Sequence, residues 1–395
     1  MATATNQYIL SDELLARCAE RAPMYDRENR FFQEDFDEIK QTDYLKMAVP
    51  KELGGLGMSL AEVMRETRHL AYHAAPTALA LNMHIYWTGL SADVWRSGDK
   101  SLEWLLREAA EGAIFAAGHA ERGNDIPILL STTKAERVDG GYRFTGHKSF
   151  GSLTPVWTRL GLHGLDTSDP DAPKVVHAFM ARDTPGYRID ENVWDVLGMR
   201  ATASQDTYLE GAFVPDEHIA RVVPAGAAGV DLFVLGLFAW ALVGFANIYY
   251  AIGQRALDET VEALKTKTSI ALSRPSMIYN AEVQHAVADM VMALESVEGQ
   301  IDKIAEDWSN GVDYGMAWVI KIFATKHTAV EAAFKVADTA VDLAGGFGIF
   351  KGGVFERLFR DARLGRIHPG NPTLTREFIA KIKLGLNPDD QPRWG

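Results

Sequence analysis

The chain of 395 residues contains a single cysteine, Cys18. That excludes an internal disulfide framework and a cysteine-rich metal site, and it suits a reducing compartment such as the cytoplasm. Cations are in the minority: 40 Lys and Arg stand against 53 Asp and Glu, a formal net charge of −13. Nucleic-acid binding needs clustered cations to meet phosphates, so no such role is expected. The opening stretch MATATNQYILSDELL lacks a basic segment followed by an apolar run, and no signal peptide is expected. Long apolar runs are also scarce. Only Leu232 to Ile252, LFVLGLFAWALVGFANIYYAI, continues for 21 residues without a formal charge. Its length would suffice for a bilayer. Strongly periodic sequence follows at once, so we expect a helix buried all round in a bundle and no membrane span.

What is present is ordinary globular material, 47% hydrophobic and 24% charged, enough for several packed units. Three textures follow one another. Residues 1–112 are helical in pattern, with SDELLARCAERAPMY opening on Ser11. In SLAEVMRETRHLAYHA, Ser59 and Glu62 form a capping-box signature. Residues 113–225 switch to alternation: LLSTTKAERVDGGYRFTGHKSF carries a hairpin signal at Asp139-Gly140-Gly141, and KVVHAFMARD and DTYLEGAFVP read as further strands. This predicts a small antiparallel sheet or barrel. Residues 226–395 return to long helices at 232–265, 280–309, 314–344 and 371–385, with a shorter one near 353–363, as in a four-helix bundle. The fold class is mainly α with a central β-domain.

Four stretches give this order a family character. AAGHAERGNDIP ends in Gly123-Asn124-Asp125. GGYRFTGHKSFGS reads as a strand pair ending at Phe150 and Ser152. WDVLGMRATASQDTYLEGAFVPDEHI carries Leu-Gly-Met-Arg before Thr202 and Ser204. DLAGGFGIFKGGVFERLFRDARLGRIHPGN places Arg360-Asp361 twelve residues after Gly-Gly-Phe-Gly. Together they resemble the acyl-CoA dehydrogenase superfamily over nearly the whole chain. The resemblance implies a flavoprotein with an N-terminal helical domain, a middle β-domain and a C-terminal four-helix bundle. It places Gly118, Gly123, Asn124, Phe150, Ser152, Thr202 and Ser204 around the flavin, with Phe150 against the ring and Ser152 near its N5/O4 edge. It sets Gly345 and Gly346 on the pyrophosphate of a flavin in a neighbouring copy, implying a dimer or tetramer. Arg360 and Asp361 read as an ion pair holding a helix end.

The sequence departs from the family where chemistry would happen. Dehydrogenation of an acyl-CoA needs a base, usually a carboxylate, to take the α-proton while flavin N5 accepts the β-hydride. By the resemblance, the two positions the family uses for that acid fall at Pro369 and near Ala241, on a helix without any acid from Leu232 to Ile252. The usual pyrophosphate arginine is absent, with Arg274 as a substitute, and the usual Gln before Gly-Gly is Asp342. FAD is expected, with FMN as the alternative. Aromatic residues Phe238, Trp240, Phe245 and Tyr249 take the place of the family's CoA-facing polar groups and are expected around the substrate. His368 matches in position a histidine of the family's reduced-flavin monooxygenases, where it sits beside the flavin with a serine matching Ser152. Imidazole can assist oxygen activation or take a proton at neutral pH. The simpler reading is a histidine capping a helix end.

Two enzyme readings result. The first is α,β-dehydrogenation of an acyl-CoA or similar acyl group, with electron-transfer flavoprotein as a partner. The second is a two-component monooxygenase of a hydrophobic or aromatic substrate, with a flavin reductase as partner. The frequency of the activity among relatives ranks the dehydrogenase first. An inactive paralogue keeping the fold is a third reading, against which the retained flavin-facing positions argue.

Overall fold

The computed structural model describes residues 8–389. Helix α1 (Asp12–Glu28) starts where Ser11 accepts from the Leu14 amide and ends at Asn29 in the left-handed region. Helix α2 (Gln33–Ile39) leads through short 3-10 turns to α3 (Leu60–Arg96). The Ser59–Glu62 capping box opens α3, which is kinked at Ala74, close to Pro76, whose ring clashes with the turn before it. Helix α4 (Glu103–Ala110) completes the N-terminal part.

The strands are β1 (Phe115–Gly118), β2 (Lys134–Val138), β3 (Gly141–Gly151), β4 (Arg159–Asp166), β5 (Lys174–Ala181), β6 (Tyr187–Asp190), β7 (Gln205–Pro215) and β8 (Ile219–Pro224). They form one sheet in the order β6-β7-β3-β2-β4-β5-β8, with β1 parallel to β4. The turn at Asp139-Gly140 joins β2 to β3, with Gly140 at φ +75. The β3–β7 register shifts between Lys148 and Gly151. This irregularity turns the end of β3 away from the ladder and delivers Phe150 and Ser152 to the site.

The C-terminal bundle contains α5 (Leu232–Thr266), α6 (Ala281–Ser309), α7 (Ala317–Ala344), α8 (Val354–Leu364) and α9 (Pro372–Leu384). The apolar α5 lies between α3 and α7, and 89% of its most apolar window is buried. Glycine lets α3 and α5 approach: a Cβ on Gly89 would stand 2.2 Å from the Trp240 ring, and one on Gly244 2.3 Å from Asn82. Each large side chain buried along α5 contributes about 1.5–3 kcal/mol. Asp93 accepts from the indoles of Trp240 (2.7 Å) and Trp308 (2.8 Å), tying α3, α5 and α6 together.

Candidate active site

A cavity of about 510 Å³ opens where the β-sheet meets the bundle. Its helical wall includes Phe238, Ala241 and Phe245 of α5, Phe323 of α7, and the connection from α8 to α9. Its sheet wall includes His119, Glu121, Phe150, Ser152, Thr202 and Ser204.

The helical wall is shaped around a buried amine. Lys326 of α7 donates to the carbonyls of Gly365 (2.8 Å), Gly370 (3.1 Å) and His368 (3.4 Å), so the loop wraps its Nζ. Burial pulls that amine down to about 7. Gly370 at φ +72 turns the chain, and Asn371 caps α9 by accepting from Thr373 and Leu374. The loop presents His368 against Phe245 (5.0 Å between ring centres) and Tyr249 (5.6 Å). Its Nδ1 is buried without a hydrogen-bond partner. Burial, then the Lys326 charge, push the imidazole down to about 3, so it is neutral at physiological pH. A neutral ring gains less from a helix dipole than a charged one, which counts against the charged-cap reading. Pro369 and Ala241 both line the cavity. The two places where a carboxylate base would stand face the pocket and carry none.

Arg360 and Asp361 do not pair with each other. Neighbours in sequence point to different sides of a helix. Arg360 reaches Asp26 (2.6 Å) and Glu356 (2.6 Å), holding α8 to α1. Asp361 is buried and accepts from the Met199 amide at 2.6 Å, which ties α8 to the loop before β7. Burial raises its carboxyl to about 6.

The sheet wall supplies hydroxyls and strain. Ser152 and Ser204 share a hydrogen bond of 2.7 Å, as do Thr202 and Ser204, and Thr202 donates to the Met199 carbonyl at 2.9 Å. Five non-glycine residues here have positive φ: Ile128 (+81), Phe150 (+60), Leu153 (+66), Met199 (+54) and Ala203 (+45). Strain of this kind, about 1–3 kcal/mol each, collects at functional sites. The Phe150 ring is 57% exposed, edge-on to Trp194 at 6.0 Å. An open aromatic face beside a row of hydroxyls fits a planar ring with a polar edge, as flavin has.

The remaining sequence candidates occupy various places. Asn124 lines the cavity and holds its own turn by donating to Glu121 (2.9 Å) and the Leu130 carbonyl (2.7 Å), with Gly123 at φ +76 before it. Gly118 ends β1, where a Cβ would touch Leu160 and Lys148. Trp240 lies in the core instead of the pocket, its indole fixed on Asp93. Tyr249 is fully buried behind His368. Arg274 is exposed over the Tyr279 ring, and Gly345 and Gly346 begin an exposed 3-10 turn outside the cavity. Sequence reasoning missed the buried pair Lys148–Glu121 (2.5 Å) and the three histidines beside it, His119, His163 and His177. One signal existed: alternation along β3 sets Lys148 on the inward face of Phe144.

Two family models match this chain and together cover more than half of it: the acyl-CoA dehydrogenase N-terminal domain at residues 11–101 and the C-terminal domain at 233–384. The amino sugar nitrososynthase DnmZ of Streptomyces peucetius is 28% identical over 89% of this chain and 86% of its own length. KijD3, solved with FMN and dTDP-3-amino-2,3,6-trideoxy-4-keto-3-methyl-D-glucose, superposes with a TM-score of 0.79 at 24% identity, covering 96% of this chain and 93% of its own. TdsC of Paenibacillus sp. A11-2, solved with FMN and indole, gives 0.80 at 20% identity over 94% and 95%. The protein belongs to the acyl-CoA dehydrogenase superfamily of flavin-dependent oxidoreductases.

Proposed function

We propose that this protein is a reduced-flavin-dependent monooxygenase of a neutral, largely apolar small molecule. The observation that carries the reading is that neither of the two positions the family uses for its base carries a carboxylate. Pro369 and Ala241 stand on the cavity wall where dehydrogenation needs a carboxylate, and a neutral histidine stands beside them. This reverses the order in which sequence alone ranks the two reactions. The acids on the lining, among the described residues, are Glu121 and Asp125. Glu121 is engaged by Lys148, Ser131, Thr133 and Asn124, which leaves it no free edge for substrate.

When bound, the anionic form of reduced flavin would supply two electrons and one proton to O2 and the substrate two more electrons, one oxygen entering the substrate and the other leaving as water, with one further proton taken from the site. Phe150 offers a face for the ring, and Ser152, Thr202 and Ser204 offer hydroxyls to its polar edge. Phe238, Phe245 and Phe323 exclude water and hold an apolar substrate. His368 accepts or donates one hydrogen bond through a neutral ring at the reacting atoms. FMN is the preferred flavin, because the family's pyrophosphate arginine is replaced by exposed Arg274 and the family glutamine by Asp342, a carboxylate that repels phosphate. Both solved relatives above contain FMN. The partners are a second copy of the chain, in a dimer or tetramer, and a flavin reductase in the cytoplasm. The free, buried Cys18 suits that reducing compartment.

The test supplies FMNH2 from a separate reductase, 18O2, and a neutral apolar probe, indole. The expected result is one 18O atom in its product. Anaerobic bleaching of the bound flavin by butyryl-CoA, with no oxygenated product, would restore the dehydrogenase.

A further inference from the structure

In and behind the sheet wall lies a group of buried ionisable residues, of which Glu121 and His119 line the cavity, that the reaction above does not use. Lys148 and Glu121 form an ion pair at 2.5 Å, both side chains essentially inaccessible. Glu121 Oε2 stands 3.9 Å from Nε2 of His163. The His163 ring centre is 5.3 Å from that of His119, which lines the cavity, and 5.9 Å from that of His177. All three histidines are buried, at 8% exposure or less. Each has at least one buried ring nitrogen without a partner: Nε2 of His119, Nδ1 of His163 and both nitrogens of His177. Native interiors satisfy roughly 90% or more of such atoms, so four orphans in three adjacent rings need a reason. A metal is not that reason: among the described residues no group of three or more His, Cys, Asp or Glu is arranged to hold one.

His163 has a further property. Its Nε2 lies 3.0 Å from the Leu130 carbonyl and 3.3 Å from the Ile128 amide. A protonated Nε2 donates to Leu130, and an unprotonated one accepts from Ile128. Both neutral tautomers are therefore accommodated in one fixed ring position. Buried His84 is the contrast: Nε2 faces the Leu45 carbonyl (2.8 Å) and Nδ1 accepts from the Phe115 amide (3.2 Å), which fixes one tautomer.

We propose that Lys148 and Glu121 are a proton store, and that His163 and His119 relay its proton to the cavity. The role rests on the oxygen-inserting reading, which consumes one proton in a pocket walled by apolar groups; the geometry does not rest on it. Each imidazole takes a proton on one nitrogen as it releases one from the other. The rings end neutral with tautomers exchanged, Lys148 becomes an amine, and a solvent proton entering from the cavity returns along the same path and resets both. The ring separations are ones that a hydrogen bond or a single bridging water spans. Burial, opposed by the charge of Glu121, brings Lys148 down to about 8, so the store is filled at neutral pH and gives up its proton more readily than a surface lysine. Burial and neighbouring charge hold both relay histidines well below their usual range, hence neutral.

The test uses flavin-free protein labelled with 15N-histidine and needs no turnover, so it can fail independently of the monooxygenase assay. The His163 nitrogens should report a mixture of both tautomers. Its ring proton should exchange with water at least tenfold faster than that of His84. His119→Phe, which replaces a ring packed on Tyr86 and Trp87 by one of similar shape, should slow His163 exchange at least tenfold and leave His84 unchanged. A single His163 tautomer exchanging as slowly as His84 in the unaltered protein would overturn the relay, whether or not the variant folds. Unchanged exchange in a folded His119→Phe variant would also overturn it.

Discussion

The two walls of the cavity solve opposite problems. The helical wall presents no carboxylate to the pocket: Pro369 and Ala241 stand at the family's acid positions, and His368 is neutral among aromatic rings. The sheet wall has taken charge in: besides its hydroxyls it holds the Lys148–Glu121 pair and three buried histidines. On the proposed reading, a pocket without a carboxylate base at the family positions keeps its ionisable groups on the opposite wall, where burial sets their charge states.

The sharpest way to break this comparison is at His368. Replacing it with Ala should lower product formation by about two to three orders of magnitude, the usual worth of one positioned hydrogen bond to the reacting atoms. Flavin affinity should change by less than about threefold, as measured by equilibrium titration. A nearly unaltered rate would make the helical wall a container only. The next largest effect is expected in the sheet wall. Glu121→Gln strands the Lys148 ammonium in a dry interior and should cost about 3–5 kcal/mol in urea unfolding. The double variant Glu121→Gln with Lys148→Met should recover part of that loss; no recovery would mean that the two do not act as a pair.

Asp361, the joint between the walls, gives a pH signature. Its carboxyl rises from 3.8 to about 6 on folding because it is buried. The folded state therefore binds more protons than the unfolded state between those values, and this contribution to stability is lost as pH rises from about 4 through about 6. Asp361→Asn keeps an acceptor for the Met199 amide and should flatten the stability profile across that window, as followed by thermal melts at stepped pH. The smallest effect is expected for Ser152→Ala. Ser204 keeps Thr202 as a partner, so the cost should be about 1 kcal/mol of stability. A loss several times larger would mean that the hydroxyl row acts as a unit.

Much of this architecture is legible in the amino-acid sequence. The bundle helices expected at 280–309, 314–344 and 371–385 are found at Ala281–Ser309, Ala317–Ala344 and Pro372–Leu384. Each has long apolar periodicity, and two of the three have a side-chain cap. The Ser59–Glu62 box and the Asp139-Gly140 turn also lie where local chemistry puts them. Side-chain partners are harder to read. Arg360 and Asp361 are adjacent in sequence, yet their partners, Asp26 and Met199, are 334 and 162 residues away. Trp240 has the composition of a pocket residue, but the rotation of α5 turns it onto Gly89 and Asp93.

The sequence by itself determined the order of helices and strands, the family, and the absence of an acid at Pro369 and Ala241. These follow from local periodicity, caps and spacing, which are written in neighbouring residues. Only the tertiary structure decided that His368 is neutral, that Lys326 holds its loop, and that Lys148 meets Glu121 beside three histidines. Those properties depend on burial and on contacts between residues far apart in the chain. The charge of a titratable group is set by what surrounds it, and that surrounding exists only once the walls have closed.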